Sequence, residues 1–178
     1  MVFSYKNFRG DTYYLHSTQT KKGNPRYHFA KKIDESTSED KFPKGYEVYE
    51  EPNGKVYARK KTKAMLNPAE ISIISDGMKK YSEVSDFKLD IKKNIVSIYA
   101  NESTEEESLI PLSLKHKYYE AKMRFILIDE EARTFVVERF CYLGSVDDWI
   151  DLDCSDDLSE LVKEYVQHIG KESFYELM

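Results

Sequence analysis

Residues 123–142 read MRFILIDEEARTFVVERFCY and contain the two most apolar runs of the chain, at 123–129 and 134–142. Each run has three consecutive apolar residues, which is typical of strands whose two faces are both covered. We therefore predict that the two runs pair antiparallel, with both faces covered, in the centre of a C-terminal sheet.

A helix is predicted downstream of these strands. Asp157 and Glu160 have the spacing of an N-terminal capping pair, and Gly170 suits the C-terminal end. The apolar stripe of this helix consists of Leu158, Leu161, Val162, Tyr165, Val166 and Ile169. In the short tail that follows, at 171–178, we expect three side chains to dock: Phe174, Tyr175 and Leu177.

An earlier helix is predicted to begin at Asn67. Asn67 is the expected N-cap, Pro68 the first helical residue and Glu70 the reciprocal capping partner. Apolar residues continue at helical spacing, although Gly77 and three isoleucines weaken the helix propensity. A hairpin, 87–91 with 95–99, and an acidic loop at 100–108 are predicted between this helix and the central strands.

The first half of the chain has the pattern of two further hairpins. Residues 12–16 and 26–30 alternate in polarity around a cationic turn, which places Tyr13 and Leu15 on one face and Tyr14 and His16 on the other. Residues 34–44 are predicted to be a polar loop.

The second hairpin, 46–51 with 55–60, turns at Pro52-Asn53-Gly54, which suits a type I turn closed by a left-handed glycine bulge. The predicted register sets Glu51 opposite Lys55, Tyr49 opposite Tyr57 and Glu47 opposite Arg59.

The predicted order is hairpin, hairpin, helix, hairpin, hairpin, helix. Strands that cluster as hairpins favour an α+β fold over a doubly wound sheet. We expect antiparallel β-hairpins with two main helices, arranged as two small β-rich lobes. The predicted domains are a basic lobe, 1–64, and an acidic lobe, 65–178, which contact each other as one unit.

The charge of the chain is divided unequally between these lobes. Residues 1–64 hold 14 Lys and Arg against 8 Asp and Glu, a net charge of +6, whereas residues 65–178 have a net charge of −11. Such a division suits either a basic face that meets a polyanion or two oppositely charged halves that dock. Two cysteines, no secretory signal and no apolar run of membrane-spanning length lead us to expect a cytoplasmic protein without membrane contact.

Several stretches of the chain together resemble a group of uncharacterised prokaryotic proteins. These stretches are Tyr13-Tyr14-Leu15-His16, residues 20–27 (TKKGNPRY), residues 45–50 (GYEVYE) with Pro52-Asn53-Gly54, Phe140-Cys141-Tyr142 with Gly144-Ser145 and Asp147-Asp148-Trp149, and Ser173-Phe174-Tyr175-Glu176-Leu177. The resemblance covers most of the chain and implies a shared fold. It implies no activity, cofactor or partner.

The basic N-terminal hairpin is the first functional candidate. Cationic side chains neutralise phosphates and aromatic rings stack on unpaired bases, so this combination suits contact with nucleic acid. The candidate residues are Tyr14, His16, Lys21, Lys22, Arg26 and His28. The alternative is a solvated turn whose lysines protect a strand edge.

An acidic loop at 147–153 is the second candidate, because several carboxylates in one loop are typical of Mg²⁺ or Ca²⁺ sites. The candidate ligands are Glu138, Asp147, Asp148, Asp151 and Asp153. Their spacing does not match an EF-hand loop, and the alternative is a capped turn with a solvated surface.

The sequence has no zinc spacing, glycine-rich phosphate loop or nucleophile elbow, so we expect no cofactor. We therefore expect a non-enzymatic module that binds nucleic acid or another protein. The alternative is a metal-dependent hydrolase at the acidic residues.

Overall fold

The computed structural model describes residues 2–37, 42–101, 113–142 and 147–178. The chain forms two compact units, one comprising Met1–Thr62 and Ile110–Lys117, the other Lys63–Leu109 and Tyr118–Met178. The boundary between residues 64 and 65 stays a prediction, and so does the contact between the two lobes. Antiparallel sheets in both units and two α-helices in the second confirm the α+β fold. No helix in the described ranges has the length and apolarity needed to span a bilayer.

The first unit contains a three-stranded antiparallel sheet in the order β1-β2-β3, formed by Ser4–Lys6, Thr12–Gln19 and Pro25–Ala30. The predicted hairpin is confirmed, and β2 is longer than predicted. Leu15 is fully buried, and its cross-strand partner Phe29 packs against Phe3 and Phe42. These aromatic contacts stabilise one face of the sheet. Of the polar loop predicted at 34–44, residues 38–41 lie outside the described residues.

The second hairpin of this unit consists of β4 (Tyr46–Glu50) and β5 (Val56–Lys60). Tyr49 lies opposite Tyr57 and Glu47 opposite Arg59, as predicted. The backbone N–H of Glu51 donates to the carbonyl of Lys55 at 2.9 Å. Gly54 has a φ of +83°, the left-handed conformation that the predicted bulge requires.

The second unit contains a five-stranded antiparallel sheet in the order β10-β9-β8-β7-β6. Its strands are β6 (Phe87–Lys92), β7 (Ile95–Ala100), β8 (Glu120–Asp129), β9 (Thr134–Tyr142) and β10 (Asp147–Ser155). β8 and β9 pair antiparallel inside the sheet, which confirms the predicted central strands. Of the acidic loop predicted at 100–108, residues 102–108 lie outside the described residues.

The two faces of this sheet differ in burial. The face that packs into the hydrophobic core carries side chains that are at most 2% exposed, namely Val96, Ile98, Met123, Phe125, Leu127, Phe135 and Val137. Ile126 and its partner Val136 are only half-buried, and Ile128 is 59% exposed. The expectation that both faces are fully covered is therefore wrong at this end of the sheet.

The prediction of an acidic loop at 147–153 is wrong, because these residues belong to strand β10. Trp149, Ile150 and Leu152 are half-buried among the aspartates, and β10 is an edge of the sheet. Charged residues on an edge strand discourage pairing with other chains. Acidic composition is therefore as typical of a protected sheet edge as it is of a loop.

Helix α1 (Pro68–Tyr81) begins as predicted, with a complete capping box between Asn67 and Glu70. Glu70 is buried, and its carboxylate also accepts a hydrogen bond from Arg133 Nε at 2.8 Å. Arg133 lies in the β8–β9 turn with a φ of +54° and donates to the carbonyl of Met65 at 3.3 Å. These bonds tie the start of α1 to the sheet.

Helix α2 (Leu158–Val166) is capped by Asp157, whose side chain accepts the N–H of Glu160 at 3.0 Å. Its predicted apolar stripe is buried apart from Tyr165, which is half-buried. The two helices approach closely at Gly77, where a Cβ would lie 2.1 Å from Cγ1 of Val162. The glycine that weakens the helix prediction is therefore required by helix packing.

The C-terminal tail forms a short 3-10 helix, Glu172–Glu176. Phe174 is buried and Leu177 packs against the core, as predicted. Tyr175 is 61% exposed, so its predicted docking is wrong. Because a 3-10 helix has three residues per turn, neighbouring side chains point in different directions.

We expect Gly77→Ala to destabilise the protein by about 1–3 kcal/mol, because the added methyl group overpacks a buried contact. In the Val162→Ala background the nearest remaining side-chain atom, Val162 Cβ, lies 3.5 Å away. There the same change should be neutral or stabilising by up to ~1 kcal/mol, through better helix propensity. Denaturant unfolding of all four proteins measures both effects. Equal destabilisation in the two backgrounds would contradict close packing at Gly77.

Candidate nucleic-acid interface

The β2–β3 hairpin ends in a tight turn that the backbone closes. Gly23 donates its N–H to the carbonyl of Thr20 at 2.8 Å, and Thr20 donates to the carbonyl of Asn24 at 2.9 Å. The side chains around the turn therefore remain available to solvent. Three cationic residues there are exposed and have no carboxylate partner within the described ranges: Lys21, Lys22 and Arg26.

Two other cations of the first unit are paired with carboxylates. Lys31 Nζ lies 2.9 Å from a carboxylate oxygen of Asp11, and Arg59 Nε lies 2.7 Å from one of Glu47. Arg59 also lies over the ring of Tyr49, 4.3 Å from its centroid. The charge of these two side chains is partly neutralised within the unit, whereas the three cations of the hairpin tip have no carboxylate partner among the described residues.

His16, one of the predicted nucleic-acid contacts, is only 1% exposed and therefore buried. Its Nδ1 lies 2.7 Å from Ser36 Oγ and 3.2 Å from Asp34 Oδ1, and its Nε2 lies 3.0 Å from the carbonyl of Lys32. The N–H of Ser17 donates to the carbonyl of Ser36 at 2.9 Å, which holds this segment over β2. Residues 32–37 therefore cover the face of β2 that carries His16, although the alternation of the strand alone predicts that this face is polar.

His28 is exposed and stacks on His16, its cross-strand partner, with ring centroids 5.1 Å apart. Partial burial, and to a lesser degree the neighbouring His16 and Arg26, lower the pKa of His28. The ring is therefore neutral at neutral pH. Tyr14 lies on the same face and is half-buried. His28 is thus the accessible ring of the predicted face.

The acidic candidates lie along the edge of the second unit's sheet and do not converge. Asp151 is opposite Glu138 in register, but Glu138 is paired with Arg124 across the β8–β9 hairpin. Asp148 accepts the N–H of Trp149 at 2.8 Å, and alternation places it on the face opposite Asp147. Asp153 accepts the N–H of Cys154 at 2.7 Å. In the part of the chain that the structure describes, no three metal-ligating side chains form a group.

An aromatic cluster beside these aspartates was not predicted. Trp149 contacts Phe140 with ring centroids 5.1 Å apart, and Phe140 contacts Tyr142 at 5.0 Å. The guanidinium of Arg124 lies 4.2 Å from the centroid of Trp149. The sequence indicates part of this cluster, because Phe140 and Tyr142 alternate along one strand. That Trp149 joins them follows only from the register between β9 and β10, which places Trp149 opposite Phe140.

No known protein family, curated protein or solved structure matches the chain. The resemblance to a prokaryotic group stays a prediction.

We expect His28 to make the protein less stable in mild acid. The folded state holds the pKa of His28 below its ordinary value near 6.5, so the unfolded chain binds the proton more readily. Its contribution to stability is present above about pH 6.5 and is lost as pH falls through the folded pKa. Denaturant unfolding at several pH values between 7.5 and 5 should show a smaller loss for His28→Gln than for the natural protein. His116→Gln, at another exposed histidine, is the control and should leave the loss unchanged.

We expect millimolar Mg²⁺, Mn²⁺ or Ca²⁺ to leave the melting temperature unchanged, because the acidic side chains do not converge. An ion that binds only the folded state would raise it. A rise that disappears in Asp148→Asn and Asp151→Asn would instead establish a metal site on β10.

Proposed function

We propose that this chain is a non-enzymatic binding module that contacts nucleic acid through the tip of the β2–β3 hairpin. The phosphate backbone is the target, with Lys21, Lys22 and Arg26 as the contacting side chains. Contacts of this kind position a nucleic acid without reading its sequence.

The observation that carries the proposal is the set of exposed cations at the tip of a two-stranded ribbon, none of which has a carboxylate partner in the part of the chain that the structure describes. A cation already paired with a carboxylate must lose that partner before it can bind a phosphate, and these three need not. A two-stranded β-ribbon also fits the major groove of a duplex. The net charge of −5 for the whole chain restricts favourable contact to such a local cationic surface.

His28 supports the same proposal. Its pKa is lowered and its ring is exposed, so it offers a neutral aromatic surface on the face that also carries Arg26. Aromatic rings beside cations are typical of proteins that stack the bases of single strands. His16 is excluded from this role by its burial.

The alternative, a metal-dependent hydrolase at Glu138 and the aspartates of β10, lacks a comparable observation. Arg124 neutralises Glu138, and the aspartates are distributed over two faces of a strand. A catalytic metal requires several ligands that converge on one point.

Changing Lys21, Lys22 and Arg26 together to Ala should weaken binding to nucleic acid. Each lost phosphate contact reduces the slope of log affinity against log salt by about 0.7–0.9, so the slope should fall by roughly two to three units. Fluorescence anisotropy with labelled single-stranded and duplex oligonucleotides, from about 50 to 200 mM salt, measures this change.

The matched control replaces three exposed lysines of the second unit that have no carboxylate partner in the described ranges, Lys63, Lys80 and Lys163, with Ala. It should leave the salt slope unchanged. The tip variant should unfold within ~0.5 kcal/mol of the natural protein, since exposed turn charges contribute little to stability. Undetectable binding of the natural protein at ~50 mM salt, where phosphate contacts are strongest, would refute the proposal.

A further inference from the structure

A surface on the second unit combines aromatic rings with carboxylates, two of which have no cationic partner among the described residues. Glu138, Phe140 and Tyr142 alternate along one face of β9, and their partners in β10 are Asp151, Trp149 and Asp147. Cross-strand partners share a face of the sheet, so all six side chains belong to one surface, which we call the acidic aromatic surface.

The rings of this surface are accessible. Tyr142 is 53% exposed and Trp149 is half-buried. The ring of Tyr142 contacts Phe140 with centroids 5.0 Å apart, and Phe140 contacts Trp149 at 5.1 Å. Burial, and then the charge of Glu120, raise the pKa of the Tyr142 hydroxyl, whereas Lys122 lowers it. Adjacent exposed aromatic side chains are unusual on a surface that only meets water, and they are typical of interaction sites.

The charges on this surface define the chemistry of its partner. Asp147 and Asp151 flank Trp149, are exposed, and have no cationic partner among the residues that the structure describes. At ~3.3 Å per residue they lie about 13 Å apart along β10. The chain's own Arg124 shows how a cation binds here, since its guanidinium lies over Trp149 while it pairs with Glu138.

From this arrangement we infer that the acidic aromatic surface binds an arginine- or lysine-rich segment of a partner protein. Cationic side chains of the partner pair with Asp147 and Asp151 and lie over the ring of Tyr142, as Arg124 lies over Trp149. The segment contacts the face of the sheet and is not added as a further strand. Asp148 and Asp153 accept the N–H groups of Trp149 and Cys154, so these edge groups are not offered to an incoming strand.

Titration with a nine-residue arginine peptide tests this inference. Trp149 is the single tryptophan of the chain, so its fluorescence reports events at this surface directly. We expect a saturable change that weakens with salt. Asp147→Asn with Asp151→Asn should raise the Kd about fivefold to tenfold, because it removes two charge pairs. Tyr142→Ala should raise it about threefold, because it removes a cation–π contact.

Two control variants separate this surface from the general negative charge of the unit. Glu131→Gln with Glu164→Gln removes two exposed carboxylates elsewhere in the second unit, and Tyr175→Ala removes an exposed ring elsewhere. Both should leave the Kd within about twofold, since neither removes a direct contact. Circular dichroism of every variant checks that the fold is kept. The inference is overturned if the control variants weaken binding as much as the surface variants do, or if the peptide leaves Trp149 fluorescence unchanged at low salt.

Discussion

The buried carboxylate of Glu70 is the interaction on which the second unit depends. It closes the capping box of α1 and accepts hydrogen bonds from Arg133 in the turn between the two central strands. A buried carboxylate without these donors would cost several kcal/mol, so the helix start and the turn hold each other in place. With its first turn fixed, α1 lies against the apolar face of the sheet, and Gly77 then admits α2 beside it.

The sheet of each unit has two unlike faces. In the second unit, the helices pack against one face of the sheet. The other face carries charged side chains, among them the ion pair of Arg124 and Glu138. In the first unit, aromatic residues pack around Leu15 on one face of β2, while residues 32–37 cover His16 on the other. The surfaces available for binding are those that neither the helices nor this segment covers.

Ion pairs within each unit bear on the charge of the two candidate surfaces. Among the described residues, Lys31 and Arg59 have carboxylate partners, whereas the cations of the hairpin tip have none. Arg124 pairs with Glu138, and Asp147 and Asp151 have no cationic partner within the same ranges. Uncompensated charges at exposed positions contribute little to stability, and they set the sign of the partner that each surface attracts. The hairpin tip therefore suits a polyanion, and the acidic aromatic surface suits a cationic segment.

The sequence by itself determined the features that neighbouring residues control. The capping box at Asn67 and Glu70, the register around Gly54 and the pairing of the central strands follow from turn chemistry, side-chain spacing and hydrophobic pattern within short segments. It also identified the cations of the hairpin tip. Only the tertiary structure decided that His16 is buried, that 147–153 is a strand and that Trp149 meets Phe140. Those outcomes depend on which distant segment covers or pairs with a residue, and local propensity carries no information about that partner.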